Sequence, residues 1–253
     1  MNNRYGTLAS WVYNLDKPVG RSFGDIEYYR GRLADCAGSI LEPAVGNGRF
    51  FVRMLEAGFD ISGFDPSNEM LGYCRRACAE RSLDEGRISH GTFETFAYDR
   101  RFAAIVVPLG SFQLITDMAV AKAVLRRFFD HLAPGGRLMI DLDAIGGFLG
   151  EGGRVRSWTT WDGDLMTLTD ARVSTDYVAQ TTVTHLRYEL WKDTKLVDSE
   201  LELFSLRWWG VEEFAMALRE TGFVDVVASG DYRYGQAPAT GCETISVEAR
   251  RPE

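Results

Sequence analysis

The sequence predicts an α/β fold: a mostly parallel, seven-stranded sheet with helices on both faces, plus an inserted antiparallel β cap. Three observations predict it. Between Ser39 and Asp143 short apolar runs alternate with helical patterns, the texture of βαβ units feeding a parallel sheet. From Gly146 to Trp209 the chain is rich in Thr, Val, Tyr and Trp, with long extended stretches and no helical period. After that a helical pattern and two apolar runs return to the first texture.

Taken in order, Ile26, Tyr29, Arg30 and Leu33 share one face of a short helix that ends near Gly38, preceded by a loop. Strands follow at 39–41, 60–64, 88–90, 103–107 and 137–141. Between them, a helix carrying Phe50, Phe51, Met54 and Leu55 stops at Gly58. Another, carrying Leu125, Phe128, Phe129 and Leu132, stops at Pro134-Gly135-Gly136. In the insert, Leu186, Tyr188 and Leu190 alternate with Arg187 and Glu189, and Asp193-Thr194-Lys195 turns the chain back into 196–208. Val211, Phe214, Ala215 and Leu218 then form a helical face closed by Gly222, and runs 224–228 and 244–249 complete the sheet. The organisation is an N-terminal lid and helix (1–38), an α/β domain in two pieces (39–145 and 210–253), and a cap (146–209) expected to serve substrate or oligomer contacts.

The 253 residues suffice for a large core without disulfide staples, and 45% hydrophobic with 25% charged residues excludes disordered and collagen-like classes. A net charge of −8 speaks against a Lys/Arg-driven grip on nucleic acid. No run of about 18 apolar residues exists, and Met1-Asn2-Asn3-Arg4-Tyr5-Gly6 has no apolar signal core, so a cytoplasmic protein off the membrane is expected. Cys36, Cys74, Cys78 and Cys242 are scattered, as reduced packing residues are. Cys74 and Cys78, a helical turn apart with no nearby His, make a poor zinc site, and no metal is expected.

The stretch Leu41-Glu42-Pro43-Ala44-Val45-Gly46-Asn47-Gly48-Arg49-Phe50 runs from a strand through a glycine turn into a helix, and Gly46 and Gly48 allow a sharp turn and close ligand approach. Dinucleotide enzymes place a third glycine where Phe51 stands. Asp65 ends the second strand. There it either accepts hydrogen bonds from two ribose hydroxyls or starts the next helix, with Ser67 as N-cap.

Three motifs in order resemble class I S-adenosylmethionine-dependent methyltransferases: 41–48, then Gly63-Phe64-Asp65-Pro66-Ser67-Asn68-Glu69-Met70-Leu71, then His131-Leu132-Ala133-Pro134-Gly135-Gly136-Arg137-Leu138. The resemblance implies a Rossmann-like methyltransferase fold with S-adenosylmethionine as cofactor. It places Glu42 at the acidic position of the first motif, with Ala44, Gly46, Asn47 and Gly48 along the methionine and ribose. Asp65 would hold the ribose hydroxyls, and Pro66 and Met70 would lie beside the adenine. Thr92 stands where the family often has an acidic residue, leaving the adenine amine to backbone or to Phe93. The leader resembles a lid in which Tyr13 closes on the cofactor; Arg21 either pairs with the methionine carboxylate or is a solvated surface charge. Pro43 and Val45 depart from the usual first motif. The loop Val107-Pro108-Leu109-Gly110-Ser111-Phe112-Gln113, which contributes Leu109 to the cofactor side, lacks the Pro-Pro-aromatic box of enzymes that methylate nucleic-acid bases.

Methyl transfer from a sulfonium mainly requires alignment and exclusion of water. Five of the six tryptophans, Trp158, Trp161, Trp191, Trp208 and Trp209, lie in the insert or its exit. Trp158, Tyr188 and Trp208 are the substrate-pocket candidates, with glue between sheet and scaffold as the other reading of these rings. Similar small-molecule methyltransferases, including those acting on amino sugars, carry such an insertion. His185, mid-strand, is a weak candidate base whose ring faces either pocket or solvent. The expected activity is methyl transfer to N or O of a small molecule, by a chain that also forms a homodimer. The alternatives are a nicotinamide-dependent oxidoreductase, which Phe51 opposes, and a non-catalytic cofactor-binding protein.

Overall fold

A computed structural model describes residues 5–150 and 153–253; Met1 to Arg4 of the predicted leader and Glu151 and Gly152 of the cap lie outside the described residues. The leader contributes α1 (Thr7–Asp16) and α2 (Asp25–Arg32). The scaffold then alternates β1 (Ile40–Pro43), α3 (Phe51–Glu56), β2 (Ile61–Asp65), α4 (Asn68–Ala79), β3 (Ile88–His90), β4 (Phe102–Val107), α5 (Met118–His131) and β5 (Leu132–Asp143). A short α6 (Ile145–Leu149) leads to the insert, β6 (Val155–Thr159), β7 (Leu165–Asp176), β8 (Thr181–Lys192) and β9 (Lys195–Arg207). The chain returns through α7 (Val211–Thr221), β10 (Val224–Gly230) and β11 (Thr244–Arg250).

The main sheet has seven strands in the order β10-β11-β5-β4-β1-β2-β3. Strands β1 to β5 pair in parallel, and β11 runs antiparallel to both of its neighbours. Alternation along each strand divides the core in two. Leu41, Ile105, Val107, Leu138 and Ile140 pack under α5 and α7, while Ile40, Ala104, Val106 and Met139 pack under α2, α3 and α4. This is the predicted doubly covered sheet. Phe51 is fully buried in the second core, filling the place a third glycine would leave open. Among the described residues no helix is long and apolar enough to cross a membrane.

The insert is a separate four-stranded antiparallel sheet, β6-β7-β8-β9. Its β8–β9 hairpin turns at Asp193 and Thr194, both at positive φ (47° and 64°), the backbone twist that a two-residue hairpin favours. One face carries the even-numbered side chains Met166, Leu168, Tyr188 and Leu190, which form a third apolar cluster with Leu8, Ala9 and Val12 of α1. The loop expected before the leader's helix is therefore itself helical. Its N-terminus is capped from far away: Leu8 N donates to Glu200 (2.8 Å) and Tyr5 N to Glu202 (3.1 Å), both on β9. A Cβ at Gly6 would meet the Glu200 carboxylate, which would have to shift from its place beside Leu8 N.

Candidate active site

Because β1, β2, β4 and β5 are parallel, their carboxyl ends bring the turn 44–48, Asp65, Leu109 and Asp143 to one edge of the sheet, where open α/β sheets bind ligands. In the turn, Ala44, Gly46 and Gly48 all have positive φ (57°, 57° and 83°). At Ala44 that conformation is unusual for a residue with a side chain. A Cβ on Gly48 would lie 2.7 Å from Cys74 Sγ, so this glycine is also demanded by packing against α4. Asp65 braces the glycine turn and the start of α4. Its Oδ2 accepts from Gly46 N and its Oδ1 from Ser67 N, each at 2.9 Å, while Ser67 caps α4 by accepting from Met70 N at 3.2 Å. Burial raises the Asp65 carboxyl above its usual value, against the pull of those backbone donors.

Glu42 is 2% exposed, and its Oε2 has no hydrogen-bond partner among the described residues. Burial pushes this carboxyl well above the normal range, with Arg49 opposing. A buried acceptor left in that state calls for a donor the chain does not supply. Together, the acceptors Glu42 and Asp65 and a glycine turn open to close approach fit a ligand bearing an ammonium and a ribose diol, as S-adenosylmethionine does.

The leader closes over this edge. Tyr13 meets Tyr5 edge to face at 5.8 Å, and burial pushes its hydroxyl up to about 12. Asn47 is spent on anchoring the leader: its Nδ2 donates to Asn14 Oδ1 (3.0 Å) and to the Lys17 carbonyl (2.9 Å), and its Oδ1 accepts from Arg49 N. Arg21 is exposed, its side chain beside the Phe23 ring. Arg49, by contrast, is buried and paired with Asp25.

Between α1, α6, the end of β5 and the even-numbered face of the insert lies a cavity of about 700 Å³, which shares Lys17 and Asp143 with a second cleft beside Leu109 and Tyr232. Asp143 is held by Gln113, whose amide bonds its backbone on both sides (Nε2 to O, 3.2 Å; N to Oε1, 2.7 Å), and its carboxyl faces the cavity. Crowding by protein raises the Asp143 carboxyl and lowers the Lys17 ammonium, while Lys17 itself favours ionised Asp143. Behind it, Asp141 is wholly buried and collects donors from Leu109 N (3.0 Å), Tyr29 (2.8 Å), Tyr232 (3.0 Å) and Ser246 (2.8 Å). Even so, burial raises its carboxyl to about 6.

Several expectations need correction. Of the substrate candidates, Tyr188 lines the cavity. Trp158 instead packs on the leader cluster, and Trp208 is buried against Phe148 and Tyr177, so both act as glue. His185 pairs with Ala171 and Leu203 on the odd-numbered face, whereas the cavity is lined by Thr182, Thr184, Leu186 and Tyr188. Strand alternation points the histidine away from any reaction there. Met70 reaches Gly46, but the Phe93 ring is engaged in the core with Phe64 and Phe128, leaving Thr92, bonded to Thr95, as that loop's half-buried member beside the His90–Pro66 contact. Lys17, Asp143, Arg154, Arg156 and Arg172 were not singled out from the sequence. The signal for Asp143 was its place at the carboxyl end of the fifth strand, and for the arginines it was shared even parity with Tyr188.

Comparison with known proteins agrees with this geometry. Residues 40–136 match a methyltransferase domain model. The fold is similar to that of an S-adenosylmethionine-dependent methyltransferase of Clostridium acetobutylicum, with a TM-score of 0.76 at 16% identity over 96% of this chain and 98% of that one. The chain is 26% identical over 125 residues to a dTDP-3-amino-3,6-dideoxy-alpha-D-glucopyranose N,N-dimethyltransferase of Streptomyces fradiae, a match spanning 49% of this chain and 47% of that relative. It is 28% identical over 216 residues to a glycine/sarcosine N-methyltransferase of Aphanothece halophytica (84% and 77%). In structure it is similar to the CcbJ methyltransferase of Streptomyces caelestis, with a TM-score of 0.77 at 18% identity over 99% of each chain. The chain thus matches about half the length of the amino-sugar relative and most of the glycine/sarcosine one.

Proposed function

We propose that this protein methylates a nitrogen of a small molecule, using S-adenosylmethionine held at the carboxyl edge of β1 and β2. The observation that carries the reading is the unpartnered Glu42 and the hydrogen-bonded Asp65 flanking the turn 44–48, beneath a leader whose other side opens onto the cavity of Asp143. The named relatives are N-methyltransferases, and the net charge of −8 supports a small acceptor over nucleic acid.

When bound, S-adenosylmethionine supplies a methyl group activated as a sulfonium, so that forming the C–N bond leaves an electron pair on sulfur. Glu42, Asp65 and the turn backbone hold the cofactor, and Tyr13 with Tyr5 excludes water from it. Asp143 attracts the ammonium form of the acceptor, orients its nitrogen and takes the proton that must leave before the lone pair is free. Lys17 favours the ionised form of Asp143 against the opposing effect of burial.

Calorimetric titration with S-adenosylhomocysteine tests the cofactor site. The wild type is expected to bind in about the micromolar range, and Asp65→Ala at least ~10-fold more weakly, a loss of about 1.4 kcal/mol. Equal affinity in the two proteins refutes the assignment.

A further inference from the structure

We infer that Lys17, and not Arg21 or Arg49, receives the carboxylate at the methionine end of the cofactor. This rests on the methyltransferase reading above and adds to its cofactor site the cationic group that site lacks.

The need is electrostatic. Besides the ammonium and the ribose diol, S-adenosylmethionine carries a carboxylate, and the edge of the sheet that receives it already presents Glu42, Asp65 and Asp143. A further anion in such surroundings requires a cation at close range. The basic residues of the stretch 17–21 and of the glycine turn are Lys17, Arg21 and Arg49. Arg49 is buried and committed: its guanidinium is paired with Asp25 and also donates to the Arg21 carbonyl. Arg21 is exposed, beside the Phe23 ring.

Lys17 differs from both. It closes α1, its N–H bonded to the Tyr13 carbonyl at 2.8 Å, and its own carbonyl accepts from Asn47 Nδ2 at 2.9 Å, which ties its backbone to the cofactor turn. The ammonium lies 4.9 Å from the centre of the Tyr13 ring, the ring assigned above to shielding the cofactor. It is half-buried and forms no ion pair among the described residues. The charged groups that act on it are Asp16, Asp143, Arg49 and Arg156, of which Asp16 and Arg156 neutralise each other at 3.2 Å and Arg49 is matched by Asp25. Asp143 and Glu243 share its two clefts without closing an ion pair on it. An ammonium crowded by protein and left without a paired anion gains from an incoming carboxylate. Because Lys17 lines both the main cavity and the cleft beside Leu109, it then stands between the cofactor's carboxylate and Asp143, one cation serving both halves of the reaction.

Calorimetry on the full chain tests this with two ligands, S-adenosylhomocysteine and its decarboxylated counterpart, which keeps the adenosine, the thioether and the ammonium. The wild type is expected to bind S-adenosylhomocysteine at least ~10-fold more tightly than the counterpart, with an advantage that shrinks as salt rises. Lys17→Met, which keeps the apolar stem, is expected to bring the two affinities within about twofold of each other by weakening S-adenosylhomocysteine alone, and Lys17→Arg to restore part of the gap. Arg21→Gln is expected to leave the gap as it is. Binding of the counterpart shows that each variant is folded. Equal loss of both ligands in Lys17→Met makes Lys17 a support for the turn and overturns the assignment. So does a gap that survives in Lys17→Met, that is absent from the wild type, or that closes in Arg21→Gln, the last of which moves the carboxylate to Arg21. A wild type that binds neither ligand overturns the methyltransferase reading itself.

Discussion

Asp143 shows how a single carboxylate acquires a task from its surroundings. Gln113 fixes its backbone, protein crowding raises its carboxyl, and Lys17 favours its charged form. As pH rises through its raised value Asp143 loses its proton and becomes able to accept one, so the rate should climb on the acid side. Asp143→Asn is expected to lower kcat about a hundredfold and to abolish that acid limb, as loss of a general base does. A full acid limb in the variant's kcat/KM profile assigns the proton to another group. This residue was legible only by its position at a strand's carboxyl end. Glu42, Asp65 and the glycines, by contrast, were legible by motif, because a turn that must reach positive φ at three positions leaves little freedom of residue type.

Among the elements, α1 depends most on its partners. Ten residues are too few for a stable helix in water, and no side chain at Gly6 caps it. The N–H of Leu8 in its first turn is answered by Glu200, the N–H of Tyr5 just before it by Glu202, and its apolar face by the insert. Glu200→Ala is expected to cost about 1 kcal/mol, lowering Tm by about 2–4 °C, and to speed proteolysis between α1 and α2, whereas Glu200→Gln, which keeps an acceptor, restores most of both. An unchanged cleavage rate in Glu200→Ala would show that the cap does not hold the helix. This dependence explains why a loop was expected at 7–16, since the features that make the segment helical are on another strand. The scaffold strands and the β8–β9 hairpin were legible because their signals, apolar runs and a turn tripeptide, are local. His185 was misplaced for the complementary reason: alternation says that neighbours face opposite ways, but which side meets the cavity is settled only when the insert docks.

For the molecule as a whole, Asp141 joins the leader, the β4 loop, β11 and the β10–β11 connection through one carboxylate. Its value rises from 3.8 to about 6 on folding, chiefly by burial. The stability it contributes is therefore complete below its unfolded value and is lost as pH climbs through about 6, a difference of about 3 kcal/mol. Thermal unfolding of Asp141→Asn is expected to lack this fall between pH 4 and 7, and identical slopes in variant and wild type would locate the titration elsewhere. The remote capping of α1 also has a consequence for biosynthesis. Glu200 follows Leu8 by 192 residues, so at about 5–20 residues per second the acceptor emerges roughly 10–40 s after the helix that needs it. During that interval α1 has neither its cap nor its apolar partner, and it is seated only after the ribosome has made β1 to β5 and most of the insert.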